Sequence, residues 1–193
     1  NQAGKHFTET ALLSGIAATD WSWSALFADY DQDGEQDIFV ANGIPKRPND
    51  LDYVKYYSND QIKSKLNTTK LLDKQALKKM PSGNVTNYVF QGSTDLIFKN
   101  RSKDWIENDT IISNGSGYAD IDNDGDLDII TNNTNTVATI YKNTTDKKAN
   151  FLKIKLRFEG KNTFGIGSKV IAYAKGQKQF KELQTTRGFQ SSS

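Results

Sequence analysis

The chain has no cysteine, a single histidine, three prolines and one methionine in 193 residues. Without thiols there is no disulfide, no cysteine nucleophile and no cysteine-ligated zinc, a state compatible with an exported bacterial protein or a cytosolic one. His6 alone supplies neither a Ser/His/Asp triad nor a multi-histidine metal centre, and it reads as a solvent-facing residue with no role. No apolar run approaches the roughly 20 residues that a membrane-spanning helix needs, and the mean hydropathy is -0.67. Charge of one sign is also scarce. The 25 basic and 23 acidic residues leave +2, which is no electrostatic case for nucleic acid, and the lysines lack the regularly spaced aromatics of a nucleic-acid groove.

What is present is segregated charge. Acidic side chains crowd two short stretches, while lysines collect at 63–79 and 147–181. The first stretch runs from Asp29 to Asp37 (DYDQDGEQD) and the second from Asp120 to Asp128 (DIDNDGDLD). Both fit D-x-D-x-D-G-x-x-D. Aspartates packed this closely repel one another at neutral pH, and a hard cation removes that cost. Calcium is expected in preference to magnesium, because it accepts roughly 6 to 8 oxygens in a flexible shell. Glycine at the sixth place permits the sharp bend that turns alternate side chains inward. The expected ligands are Asp29, Asp31, Asp33 and Asp37 with the Glu35 carbonyl at one site, and Asp120, Asp122, Asp124 and Asp128 with the Asp126 carbonyl at the other. The bland alternative is a pair of acidic surface turns that bind nothing. These are not EF-hands: the twelfth place holds Val40 or Thr131 where a bidentate glutamate is required. A short aliphatic run follows each loop and reads as a strand, making each a β-loop-β unit.

Strands are expected over Trp21 to Ala28, Ile38 to Ala41, Asn87 to Phe90, Leu96 to Asn100, Trp105 to Glu107, Gly117 to Ala119 and Ile129 to Thr131. Between 50 and 83 apolar residues recur at helical intervals among lysines, predicting one or two amphipathic helices inserted between strands. Ile97 to Asn100 is echoed by Ile140 to Asn143, and Phe7 to Glu9 by Trp105 to Glu107. The loops start 120 - 29 = 91 residues apart; subtracting about 30 inserted residues leaves about 60, near the length of one propeller blade with its connections. From Phe151 to Phe158 apolar and basic residues alternate, predicting a half-buried strand, and Lys169 to Ala174 with Phe180 to Leu183 predicts a hairpin. The fold class expected is therefore all-β: propeller-type blades in an incomplete ring with a helical insertion over 1–146, then a partial β-rich domain over 147–193.

The loops with their flanking strands resemble FG-GAP repeats of the VCBS type, the units of integrin-α-like propellers. The tail, with Gly160 to Val170 (GKNTFGIGSKV) and Arg187 to Ser191 (RGFQS), resembles the start of an ASPIC/UnbV domain, a pairing similar to the cartilage acidic protein family. That resemblance implies calcium in the loops, export to the periplasm, cell surface or extracellular space, and non-catalytic adhesion or ligand binding with a protein or glycan partner. It also implies that the chain is a piece of a longer protein. A polysaccharide-binding or lyase-like propeller is the alternative, suggested by Trp21, Trp23 and Trp105. Glycoside chemistry, however, needs paired carboxyl groups about 5 to 10 Å apart with one acid left unliganded, and the acids here are mostly committed to the loops.

Overall fold

The computed structural model describes residues 6–59, 77–107, 110–145, 150–174 and 176–191. It is built of antiparallel sheets with a few short helical segments among the described residues. Strand β1 (Ser22–Ala28) enters the first acidic loop and β2 (Asp37–Asn42) leaves it; β3 (Tyr88–Gln91) and the short β4 (Lys99–Asn100) complete a four-stranded sheet in sequential order. Strand β5 (Ser113–Ala119) enters the second loop, β6 (Asp128–Asn133) leaves it and β7 (Thr139–Tyr141) follows, giving three strands. A separate hairpin pairs β8 (Lys169–Ala174) with β9 (Gln177–Glu182).

The two larger sheets share one register. Ser22 pairs with Asn42 and Ala28 with Asp37; Ser113 pairs with Asn133 and Ala119 with Asp128. Every equivalence is an offset of 91 residues, and even the irregularity between Ser22 and Ala25 recurs between Ser113 and Ser116. The third strands match at a smaller offset. Phe39 pairs with Val89 and Ile130 with Ile140, so 140 - 89 = 51. The insertion between β2 and β3 therefore adds 91 - 51 = 40 residues, not about 30. Ladder pairing also makes Ile140 and Tyr141 the counterparts of Val89 and Phe90, not of Ile97 and Phe98. The local likeness of the two Ile-aromatic-Lys-Asn strings misled, because third and fourth strands of such a sheet carry similar apolar pairs.

The core lies between the sheets. Leu26, Ala28, Phe39, Ala41 and Val89 from one face of the first sheet are buried with Tyr30 and with Ile129 of the second, and Tyr118, Leu127, Tyr141, Trp105 and Ile106 pack against them. On the opposite face Ile38, Val40 and Phe90 are buried with Ile16, Tyr88 and Phe98 against them. Strand β2 is thus buried along its whole length, as expected of a central strand covered on both faces. A buried polar chain ties the sheets together: Asn87 Nδ2 donates to Ser113 Oγ and to Tyr141 Oη, and Ser113 Oγ donates to Asn133 Oδ1. Such a group needs its partners, since an unpaired amide in a core costs about 1 to 3 kcal/mol.

Other expectations are corrected. Trp105 closes a helical turn, α3 (Ser102–Trp105), stabilised where Asn100 Oδ1 accepts from the Ser102 backbone N–H, and is not in a strand. A second helical turn, α1 (Ala11–Ser14), precedes Gly15. In the insertion, α2 (Leu51–Ser58) begins where Asp50 accepts the Tyr53 N–H, a standard N-cap, yet it buries none of its residues. The remainder of the expected helices, 60–76, lies outside the described residues. Phe151 to Phe158 forms no strand; Leu152, Ile154 and Phe158 are exposed, because alternation buries a face only when another surface covers it. The hairpin is found as expected, β8 with the same bounds.

Candidate metal centre

Each acidic loop closes on an aspartate that opens the next strand. Asp37 and Asp128 are 0% and 2% exposed, burial that a lone carboxylate resists. Both are held by two backbone N–H donors in the same arrangement. Asp37 Oδ2 accepts from Tyr30 N at 2.8 Å and Oδ1 from Gly92 N at 2.8 Å. Asp128 Oδ2 accepts from Ile121 N at 3.0 Å and Oδ1 from Asn143 N at 2.8 Å. Each closing carboxylate thus ties the second loop residue to the chain just beyond the third strand.

The loop backbones match as well. The fourth residues, Gln32 and Asn123, have φ of 60° and 61°, and the sixth, Gly34 and Gly125, have φ of 99° and 100°. Only glycine adopts the latter without strain. In the first loop the bend lets Asp29 accept from the amides of Asp33 at 3.1 Å and Gly34 at 3.0 Å, while the Glu35 amide donates to Asp33 at 2.8 Å.

The structure brings together one carboxylate oxygen each from Asp29, Asp31 and Asp37, and one each from Asp120, Asp122 and Asp124, all within 4.8 Å of one another in each set. Oxygens that close need little movement to reach the calcium–oxygen distance of about 2.3 to 2.6 Å around one ion. Asp33, exposed, and Asp128, doubly bonded to backbone, fall outside these sets. Glu35 is half-buried, and Asp126, of which only the carbonyl was expected to matter, is 1% exposed, with its amide donating to Asp124 at 3.3 Å.

Electrostatics fit an ion. Burial, reinforced by the charges of Asp31 and Asp29, pushes the Asp37 carboxyl up to about 6 despite its two N–H partners. Burial likewise raises Asp29, with Asp33 and Asp31 adding to it. Asp120 Oδ1 is buried with no hydrogen-bond donor among the described residues. At this second cluster two ammonium groups supply positive charge: Lys142 Nζ lies 2.7 Å from Asp122, and Lys153 Nζ lies 3.5 Å from Asp120 and 3.1 Å from Asn123 Oδ1. The donor sets are all oxygen, which suits calcium or magnesium over softer metals.

The segment beyond β9 meets strands β1 and β5, a contact that no local pattern predicts. Ser24 Oγ and Ser116 Oγ lie 2.6 Å apart, joining β1 to β5. The Phe189 amide donates to Ser24 Oγ at 3.2 Å, the Phe189 ring packs on Trp23 at 5.0 Å, and the Arg187 guanidinium sits 4.8 Å over the Tyr118 ring. Gly188, at φ 71°, is in such close approach that a Cβ there would collide with Ser24 Oγ.

Residues 158–193 match the family model described as ASPIC and UnbV, so the C-terminal part is an ASPIC/UnbV-type sequence. No curated protein and no solved structure matches the chain. The class defined by the fold is an all-β protein of successive antiparallel sheets ending in that segment. No helix among the described residues is long and apolar enough to cross a membrane.

Proposed function

We propose that this chain is a calcium-binding, non-catalytic binding or adhesion module of an exported or cell-surface protein, built of FG-GAP/VCBS-type propeller blades. The observation that carries the reading is the duplicated loop: two stretches 91 residues apart share backbone conformation, each gathers three aspartates (Asp29, Asp31 and Asp37 in one, Asp120, Asp122 and Asp124 in the other), and each has a buried closing aspartate held by backbone N–H groups at equivalent positions. An ion in each loop would hold together the carboxylates that otherwise repel, and would clip the loop to both flanking strands, lowering the cost of ordering it.

Propeller stacking is supported by the way the sheets face one another. The row Leu26, Phe39 and Val89 of the first sheet buries against the second. Its counterpart in the second sheet is Gly117, Ile130 and Ile140, where Ile130 is 37% and Ile140 61% exposed. Repeating the same packing would lay a further sheet there, as adjacent blades do. Thermal unfolding with millimolar calcium against EDTA tests the ion reading: the melting temperature should rise with calcium, and an unchanged value rejects it.

A glycan-binding reading is favoured by one observation, a cavity of about 280 Å³ at the loop end of the two sheets, lined by Trp105, Tyr141, Asp104 and Lys142 among others. Quenching of Trp105 fluorescence by oligosaccharides would support it, and release of unsaturated sugars would turn it toward a lyase. Trp23 speaks for a structural role of the aromatics, since its indole N–H donates to the Gly43 carbonyl at 2.7 Å and its ring is covered by Phe189.

A further inference from the structure

The two acidic loops touch. Gln32 Nε2, in the first, donates to the Gly125 carbonyl in the second at 3.0 Å. A longer path joins the closing carboxylates. Asp37 Oδ2 holds the Tyr30 N–H at 2.8 Å; the Tyr30 carbonyl accepts from Asn143 Nδ2 at 2.7 Å; and the Asn143 N–H is held by Asp128 Oδ1 at 2.8 Å. Thr145 braces the middle of this path: its amide donates to Asn143 Oδ1 at 3.0 Å, and its hydroxyl lies 2.7 Å from Asn143 Oδ1 and 3.2 Å from the Tyr30 carbonyl. Tyr30 is 4% exposed and both carboxylates are buried, so water offers little competition for these bonds, and hydrogen bonds in such surroundings are stronger than in solvent.

From this geometry we propose that the two metal sites are positively coupled and that Asn143 is the residue that couples them. The proposal rests on the ion reading above. Filling the first site fixes Asp37 and with it the Tyr30 peptide. That peptide orients Asn143, whose backbone amide positions Asp128, and Asp128 Oδ2 in turn holds at 3.0 Å the N–H of Ile121, the residue between Asp120 and Asp122 of the second site. The order gained at one loop is therefore already present when the other binds, which is how coupling arises between sites that share an ordered element. Asn143 is a positioning residue and not a ligand. Its counterpart beyond the third strand of the first sheet is Gly92, which holds Asp37 by its amide but has no side chain to reach a neighbouring loop. A Cβ at that position would strike the Gln36 carbonyl, so the first sheet is built to receive the link and the second to make it.

The test is calcium titration of the full chain by calorimetry, with ion stoichiometry from native mass spectrometry, on four proteins: wild type, Asn143→Ala, Asp31→Asn and the double variant. Expected are two ions in wild type with an isotherm steeper than two independent sites give, and two ions in Asn143→Ala with the steepness gone. Disabling the first loop with Asp31→Asn should weaken the second site by about fivefold or more, the usual lower range of such coupling. In the Asn143→Ala background the same change should leave the second site within about twofold. Two ions bound non-cooperatively by wild type, or an equal effect of Asp31→Asn in both backgrounds, overturns the coupling while leaving the ion reading intact. No ion uptake by wild type overturns both. Near-UV circular dichroism of ion-free Asn143→Ala should overlay wild type; if that variant does not fold, Gln32→Ala and Thr145→Val serve in its place, each expected to flatten the isotherm in part.

Discussion

Replacing Asp37 by asparagine separates two things its carboxylate does at once. Without calcium the buried charge is a burden. Its carboxyl is raised from 3.8 to about 6, so at pH 7 the native state carries about 3 kcal/mol of unfavourable charge burial, at about 1.4 kcal/mol per pH unit. Asparagine removes that burden but offers one acceptor oxygen where Tyr30 N and Gly92 N each require one, and leaving one of these amides unpaired costs about 1 to 3 kcal/mol. The two effects nearly cancel in the ion-free protein. With free calcium about a hundredfold above Kd, the variant also loses the ion's contribution of about 2.7 kcal/mol, a figure counted from ion-free wild type and so already inclusive of the charge the ion neutralises. The expected loss is then about 3 kcal/mol. Urea unfolding of wild type and Asp37→Asn, each with calcium and with EDTA, reads the difference directly. Equal losses in both conditions, to within about 1 kcal/mol, would show that Asp37 is a backbone cap with no part in holding an ion.

Three further outcomes follow from the same geometry. Because Asp37 and Asp29 have native values above their unfolded ones, their share of stability is complete below about pH 3.8 and is lost as pH rises, for Asp37 through about 6; ion-free protein should therefore lose stability across that window, and saturating calcium should reverse the slope. Phe39→Ala, at a fully buried position between the sheets, should cost about 3 to 5 kcal/mol in urea unfolding. Gly188→Ala should destabilise by about 1 to 3 kcal/mol through collision with Ser24 and strain at positive φ, and hydrogen exchange should speed up in β9 and around Trp23 while the β2–β3 ladder keeps its protection.

The acidic loops and their strands were readable because everything that specifies them lies within about ten residues: the aspartate spacing, the glycine at Gly34 or Gly125, and the aliphatic runs after each loop. The β8–β9 hairpin was readable for the same reason. What could not be read depends on partners far along the chain. Asp37 was named as a ligand, but nothing in its neighbourhood announces the Gly92 amide, and the role of Asn143 is visible only once Tyr30 lies beside it. The stretch from Phe151 to Phe158 has a strand's alternation without a strand's neighbour. Trp105 was assigned to a strand because aromatic residues favour one, whereas its place at the end of a helical turn is set by packing against the inter-sheet core.

The seating of Phe189 on Ser24 spans 165 residues. During synthesis the first sheet's entering strand emerges long before the tail that covers its end, and at about 5 to 20 residues per second the chain spends many seconds with Trp23 uncovered. A strand is thus covered by a segment made 165 residues after it, so a chain halted before Phe189 would carry complete acidic loops and an open inner seam.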